Sequence, residues 1–580
     1  METVHDLGSY TFTAMLANSL KKFSDRPALS YVSGTPINYA EVGTRIETLR
    51  NMLWTMGIRK GDRVILFGPS SPNWGIAYFA IVTIGAIAVP LLPDFSVKEA
   101  ETCIRHSGAS SMIVQSRLSE KVPNPSALGL DRVIRLDDLS LLSGTLGEVI
   151  PFPGAQIHEE DTASIIYTSG TTGRSKGVEL SHRNLVFTAI GGQFFQRINK
   201  FDVGLSILPM SHVYEFSIGF LMFFLNGACI YYLEKPPAVT TLLPALKVVR
   251  PTIMLSVPII MEKIYKNKIV PTFTSKPLVA ALYKIPFFRV VLHRIAGKSL
   301  RKTFGGRIKF FGIGGAKVDP QVERFMKEAR FPYAIGYGLT ETSPLLAGSG
   351  PSITKVGTVG PVMPGVEMKL VDIDSATGVG EVTVRGLNVM KGYYRDEEMT
   401  RAVLDQEGWF RTGDLGTIDK TGRLALKGRS KNMILGATGE NIYPEDIEFV
   451  LNQHPFVSES LVVEGENSSL VAYVQIDEEK LAKIAAEKAA QEAPQGAIQS
   501  MTEAMGEAVT GAMNDMQYAI NYKREEIINE IKFFVNENVN RMSRIDRIEA
   551  VHQFEKTASQ KIKRYLYTIS KSMSGHGGKS

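Results

Sequence analysis

"GIAYFAIVTIGAIAVPLLP", residues 75–93, runs nineteen positions without a charge. By length alone it could cross a bilayer. Its neighbours argue otherwise. "RVILFG" (63–68) precedes it as a short apolar strand, and "SPNWGIAYFAIVTIG" (71–85) predicts a helix starting near Pro72. "AIAVPLL" (86–92) predicts the next strand, closed by Pro90 and Pro93. A βαβ unit of a parallel sheet buries both strands on both faces, so it reads as one apolar run. The stretch is assigned to a protein core and not to a membrane.

The same grammar extends outward. Short apolar strands such as "SMIVQ" (111–115), "ASIIYTSG" (163–170) and "IKFFGIGGA" (308–316) alternate with helical stretches. That pattern predicts α/β architecture with parallel sheets. From about Gly380, "GEVTVRG" and "GRLALKGR" predict short strands with glycine turns, a small β-barrel-like part. Near Lys431 the pattern changes again. "YPEDIEFVLNQH" (443–454) is helical with Pro444 early, and "SESLVVEG" and "SLVAYVQI" are strands of a small α+β domain. An Ala-, Glu-, Lys- and Met-rich segment over about 477–538, broken at Pro494 and Gly496, predicts two or more inserted helices. The expected division is a large domain over 1–430 and a small mobile domain over 431–580.

Composition fits this picture. A chain of 580 residues exceeds one domain, and 44% hydrophobic with 21% charged residues is globular composition. Cys103 and Cys229 are the only cysteines, which excludes a disulfide framework and a thiolate metal cluster and fits a reducing compartment. The opening "METVHDLGSYTF" lacks the basic and apolar regions of a secretory signal.

The chemistry starts at "YTSGTTGRSKGVELSH" (167–182). Gly170, Gly173 and Gly177 let the backbone turn tightly and approach an anion. Thr168, Ser169, Thr171 and Thr172 add hydroxyl donors, and Arg174 and Lys176 add charge. Together they form an anion nest. The order G-T-T-G-R-S-K-G is not the ATPase P-loop.

The strand-loop-helix-like order of "ASIIYTSGTTGRSKGVELSHRNL" (163–185) closely resembles the phosphate loop of the adenylate-forming superfamily, which contains acyl-CoA synthetases, luciferases and peptide-synthetase adenylation domains. Further resemblances follow in that superfamily's order: "GYGLTETSP" (336–344), "GWFRTGDLG" (408–416), "KGRSKNMI" (427–434), "GENIYPEDIE" (439–448) and "KTASQKIKR" (556–564). The resemblance covers essentially the whole chain. It implies attack of a carboxylate on the α-phosphate of ATP, giving an acyl-adenylate and pyrophosphate, then transfer to the thiol of coenzyme A. Thr340 then offers a hydroxyl to phosphate, and Glu341 offers a hard oxygen suited to Mg²⁺. Gly336, Tyr337 and Gly338 would cradle the nucleotide, with Tyr337 on adenine. Gly314, Gly315 and Ala316 would line the base and acyl channel. Asp414, expected in a turn, would accept the ribose hydroxyls with Arg429 as second contact. Lys561 would hold the carboxylate and α-phosphate oxygens, although Gln560 stands where the family's "K-T-x-x-G-K-I" pattern has glycine. Lys431 stands at the family's hinge. Gly439, Glu440 and Asn441 would line the channel for the CoA thiol.

"LPMSHVYEFSIG" (208–219) and "RPTIMLSVPIIMEKIY" (250–265) resemble the long-chain fatty acyl-CoA synthetase branch, with His212 beside the carboxylate channel. Amino-acid-activating relatives place an aspartate near here. Tyr214 takes that position by spacing and Glu215 is adjacent, so an amine-bearing substrate is disfavoured. The alternatives are transfer to a carrier protein, a medium-chain or aryl acid, luciferase-like oxygen chemistry, and a non-catalytic nucleotide binder.

Between Lys263 and Val318 stand thirteen Lys or Arg and no Asp or Glu, while the whole chain carries +6. Aliphatic and aromatic residues are interleaved, which suits an anionic bilayer better than nucleic acid. The competing expectation is that acidic partners come from elsewhere in the fold. The expected location is cytoplasmic, with peripheral contact at the inner face of the membrane. No oligomeric state follows from the sequence.

Overall fold

The computed structural model describes residues 7–169, 175–436, 441–465, 469–478, 480–482, 507–557 and 561–568, with only the backbone at 169 and 507–522. The chain divides into two compact units. The first is 1–412 with 416–426, and the second is 413–415 with 427–580.

The opening stretch folds as a βαβ unit. Strand Arg63–Phe67 leads to helix Pro72–Thr83 and then strand Ile87–Leu91, and the two strands pair in parallel with Arg63 opposite Ile87. Ser71 caps the helix by accepting the Trp74 amide at 3.1 Å, and Pro72 occupies the first turn, where it costs no hydrogen bond. Trp74 through Thr83 are all buried. Each large apolar side chain there contributes about 1.5–3 kcal/mol by leaving water. Gly75 gives the helix close packing, since a Cβ there would meet the Phe220 ring at 2.7 Å. Among the described residues no helix is long and apolar enough to cross a membrane.

Two eight-stranded sheets organise the first unit. In one, Leu345–Gly348, Tyr333–Gly338, Phe310–Ile313, Ile253–Ser256, Val203–Ser206, Cys229–Tyr232, Pro27–Tyr31 and Ile37–Asn38 lie in that order. Its inner strands are parallel and its two edges antiparallel. The other sheet runs Gly392–Tyr393, Ser175–Ser181, Thr162–Ser169, Ile87–Leu91, Arg63–Phe67, Ser111–Val114, Arg132–Arg135 and Leu141–Ser143. A four-stranded sheet of Val366–Val371, Gly380–Gly386, Phe410–Ile418 and Leu424–Arg429 stands where the barrel-like part was expected. Mixed α/β layers with largely parallel sheets bear out the fold class.

The second unit is built on strands Val457–Glu464, Leu470–Ile476 and Arg547–Val551. Helix Pro444–Leu451 packs there with Pro444 at its first turn. Helix Glu507–Asn538 supplies Ile527, Ile531 and Val535 to the same core, at the four-residue spacing of one helix face. The expected breakers Pro494 and Gly496 lie outside the described residues.

Two local expectations need correction. The anion-binding stretch was expected to run strand, loop, helix. Instead Thr162–Ser169 pairs antiparallel with Ser175–Ser181 as a hairpin, and helix His182–Gly191 follows the second strand. Alternation in "SKGVELS" (175–181) carries that strand, and its outer edge is then paired by Gly392–Tyr393. Asp414 was expected in a turn but lies within strand Phe410–Ile418. Gly413 beside it has φ +71°, so the glycine reads as a turn signal although the ladder continues through it.

Candidate active site

In open sheets of parallel strands, ligands bind in the crevice at the carboxyl ends of the strands. Three sequence-selected segments of the first unit leave one sheet at that end. Gly314–Gly315–Ala316 follow strand Phe310–Ile313, Thr340 and Glu341 follow strand Tyr333–Gly338, and the segment holding His212 follows strand Val203–Ser206.

Gly314 is buried and a Cβ on it would meet the Tyr214 ring at 3.1 Å. Gly315 has φ +87°, a conformation that favours glycine. Ala316 is exposed and His212 half-buried. Tyr214 therefore faces the 312–314 strand end. Glu215 turns away, into a π-helical turn over Glu215–Leu221, where its carboxyl sits against Gly219. Burial pushes its pKa up to about 8, so it is largely neutral near pH 7 and offers no charge to an ammonium group.

Gly336 and Tyr337 lie in the edge-paired strand, opposite Gly348 and Ala347. Gly338 admits no side chain, because a Cβ would lie 1.6 Å from the Pro344 carbonyl oxygen. Thr340 and Glu341 then form a short 3₁₀ turn, Thr340–Thr342. That turn is fixed from below by buried Asn388, whose Nδ2 donates to the carbonyls of Thr342 (3.1 Å) and Leu345 (2.8 Å). Ser343 Oγ donates to the Asn388 carbonyl, and the Met390 amide donates to the Glu341 carbonyl at 2.8 Å.

The phosphate hairpin meets this turn through Tyr393. Thr168 lies opposite Lys176 in the hairpin, and Ser169 opposite Ser175. Gly170, Thr171, Thr172 and Gly173 lie outside the described residues. The Lys176 ammonium stands 4.8 Å from the centroid of the Tyr393 ring, and Tyr393 Oη donates to Glu341 Oε1 at 2.9 Å. Glu341 is half-exposed, and Tyr393 is its one hydrogen-bond partner by side chain among the described residues. A single carboxylate suits Mg²⁺, which keeps several waters and takes its other ligands from substrate phosphates. No group of three or more His, Cys, Asp or Glu able to hold a metal occurs among the described residues, so the donor set fits a nucleotide-borne cation and not a closed protein cage.

In the second unit, Arg429 Nε pairs with Asp414 Oδ1 at 2.7 Å, and Asp414 is nearly buried. The two residues expected to share a diol are thus side by side. Lys431 is exposed in the 3₁₀ turn Ser430–Asn432, and Asn432 Nδ2 ties that turn to Glu445 Oε1 at 2.7 Å. Asn441 pairs opposite Leu435 in a two-residue ladder, while Gly439 and Glu440 lie outside the described residues. The three clustered lysines separate by their surroundings. Lys556 pairs with Glu459 at 2.8 Å, Lys563 lies 3.8 Å from Glu555, and Lys561 is exposed in a hairpin where its amide donates to Thr557 Oγ1. Glu448 joins two motifs that sequence reading left apart. Its Oε1 accepts from Arg564 Nη2 at 2.5 Å and from the Val462 amide at 2.8 Å. Glu448, Asn388 and Tyr393 were all missed. Each is an ordinary residue type whose role depends on a partner 52 or more positions away for Tyr393, 116 for Glu448 and 43–46 for Asn388.

A family model described as AMP-binding enzyme matches residues 16–394. The chain belongs to the AMP-binding enzyme family. Its relatives include fatty acyl-CoA synthetase A of Dictyostelium discoideum, 28% identical over 78% of this chain and 73% of that one. Long chain acyl-CoA synthetase 6, peroxisomal, of Arabidopsis thaliana is 31% identical over 78% of this chain and 70% of its own length. 4-Coumarate–CoA ligase 1 of Petroselinum crispum is 29% identical over 77% and 80%. Among solved structures, o-succinylbenzoate CoA synthetase from Bacillus subtilis with its acyl-adenylate intermediate matches with TM-score 0.71 at 21% identity, covering 95% of this chain and 97% of that one. The last likeness is one of fold. The adenylate-forming resemblance read from the motifs is borne out.

Proposed function

We propose that this family member is an AMP-forming acyl-CoA synthetase acting on fatty acids, with long-chain acids as its preferred class. The observation that carries the reading is the junction of the phosphate hairpin and the Thr340–Glu341 turn through Tyr393, within a family whose similar members include long-chain acyl-CoA synthetases.

In the first half-reaction a carboxylate oxygen attacks the α-phosphate of ATP, the bond to the β-phosphate breaks, and pyrophosphate leaves. Two anions must approach, so the residues' work is orientation and charge neutralisation. Thr168, Ser169, Gly170, Thr171, Thr172, Gly173 and Lys176 take the β- and γ-phosphates, and Thr340 gives its hydroxyl to the α-phosphate. Glu341 would hold Mg²⁺ arriving with the nucleotide, and the cation would neutralise phosphate charge. Tyr337 and Gly314–Ala316 hold the base, and Asp414 with Arg429 the ribose. His212 flanks the carboxylate, and Lys561 neutralises the carboxylate and α-phosphate oxygens. Lys431 is the hinge between half-reactions. In the second, the CoA thiol reaches the acyl carbonyl past Gly439, Glu440 and Asn441, and AMP leaves.

The finer partner is an anionic membrane surface met through residues 263–318, placing the protein peripherally at the inner face of a membrane. A carrier-protein acceptor or an aryl acid is the alternative. Pyrophosphate release over acids of graded length, with and without CoA, tests the reading. Release that rises with chain length and needs CoA for turnover is expected. Release only with aryl acids, or acyl transfer only to a holo-carrier protein, overturns it.

A further inference from the structure

We infer that Tyr393 is a positioning residue that holds Lys176 and Glu341 apart, so that the ammonium stays available to phosphate and the carboxylate to the nucleotide's cation. The inference rests on the adenylation reading above.

Lys176 and Glu341 carry opposite charges and approach the same aromatic side chain, one over its face and one at its hydroxyl. Among the described residues they form no ion pair with each other. A direct pair would satisfy both groups and remove both from the nucleotide. The Tyr393 side chain meets both of them, at different atoms. It offers the ammonium a π face, an attraction weaker than a carboxylate and readily exchanged for phosphate. It offers the carboxylate one hydroxyl, which occupies Oε1 and fixes the direction in which Oε2 points.

Tyr393 is itself held from several sides. It is 8% exposed, its strand pairs with the hairpin strand at Val178, and its amide donates to Thr400 Oγ1 at 2.9 Å. Gly392 before it has φ +154° and no room for a Cβ, which would meet Thr400 Cγ2 at 2.8 Å. A side chain anchored this way on the hairpin's own edge keeps its distance from Lys176 fixed while presenting its hydroxyl to a turn on the other sheet. That is the mechanical requirement for a spacer.

Two variants of the full chain separate the two contacts. Tyr393→Phe keeps the ring and loses the bond to Glu341. Tyr393→Leu loses both. The primary readout is binding of Mn²⁺ with α,β-methylene-ATP, followed by the paramagnetic signal of free Mn²⁺. Tyr393→Phe is expected to weaken that binding about tenfold, the scale of one hydrogen bond to a charged group. Tyr393→Leu is expected to weaken it further and to raise the KM for ATP. Thioester formation from supplied acyl-adenylate and CoA should stay within about twofold of the parent in both. Mn²⁺–nucleotide binding unchanged in both variants overturns the inference, as does an equal loss in both half-reactions with a fallen melting temperature. If Tyr393→Leu does not fold, Tyr393→Phe decides alone. A parent protein that binds no Mn²⁺–nucleotide overturns the adenylation reading itself.

Discussion

Glu341 keeps its backbone in a turn fastened by Asn388 and Met390 and turns its carboxylate toward the hairpin. Because the turn is held by its neighbours, the carboxylate's charge should matter to ATP and not to folding. Glu341→Gln keeps size and the acceptor for Tyr393 but loses charge. Adenylation should fall, recover in part at raised Mg²⁺, and leave the melting temperature unchanged in a thermal scan. A collapsed melting temperature would make Glu341 a structural residue. Lys561 differs in kind: it is an exposed cation of the second unit. Lys561→Ala should lower ATP-dependent activation by about 100- to 1000-fold, the scale of removing one oriented stabiliser of developing charge. Conversion of supplied acyl-adenylate plus CoA should continue at a near-normal rate. Equal loss in both half-reactions, measured separately, would reject the assignment.

At the level of elements, the hairpin that carries the anion loop is continued by helix His182–Gly191, whose first residue is a buried histidine. His182 Nδ1 accepts the Phe12 amide at 3.3 Å, where helix Phe12–Phe23 begins. An accepting ring nitrogen must be unprotonated, and burial pushes the pKa of His182 down to about 4. The unfolded chain has its histidine near 6.5, so below that pH it binds a proton that the folded state refuses. The stability is intact above about 6.5 and is lost as pH falls toward 4, by about 3 kcal/mol when complete. Unfolding free energy measured across that window should show this loss in the parent and a shallower slope in His182→Gln. Identical slopes would remove His182 as the source.

Over the whole molecule, the basic segment is sorted by its surroundings. Arg289 pairs with Glu328 and Lys309 with Asp202, as the expectation of acidic partners from elsewhere requires. Lys276, Lys284, Arg294, Lys298 and Lys302 have no acidic partner among the described residues. Helices Pro277–Lys284 and Pro286–Thr303 also expose apolar side chains, with Leu278 75% and Phe287 71% exposed and Val291 and Ile295 following at four-residue spacing. Cations and exposed apolar side chains on one pair of helices are the composition of a membrane-surface element, and each cation near an anionic leaflet contributes about 1 kcal/mol. Co-sedimentation with anionic liposomes should therefore weaken as salt rises and as Lys276, Lys284, Arg294, Lys298 and Lys302 are replaced by glutamine. Arg289 is left intact in that variant because it pairs with Glu328 at 3.0 Å and its loss would disturb the fold as well as the surface charge. Binding that ignores lipid charge would leave these helices as ordinary surface.

Local periodicity determined much of this protein. The charge-free run at 75–93 resolved into a helix and the strand after it, with a second strand just before, because Ser71–Pro72 starts a helix and β-branched pairs make strands on either side. The order of the motifs determined the family, since each is a short contiguous string whose chemistry depends on adjacent residues. The tertiary structure decided what depends on distant ones. The hairpin's second strand acquires its outer partner from residues 392–393, more than 200 positions on. Asp414 is held in a strand by a sheet that propensity does not show, because Gly413 beside it reads as a turn. Asn388, Tyr393 and Glu448 acquire roles only when chain segments far apart in sequence are brought within hydrogen-bond distance. Hydrogen bonds act over about 3 Å of space and carry no signature along the sequence.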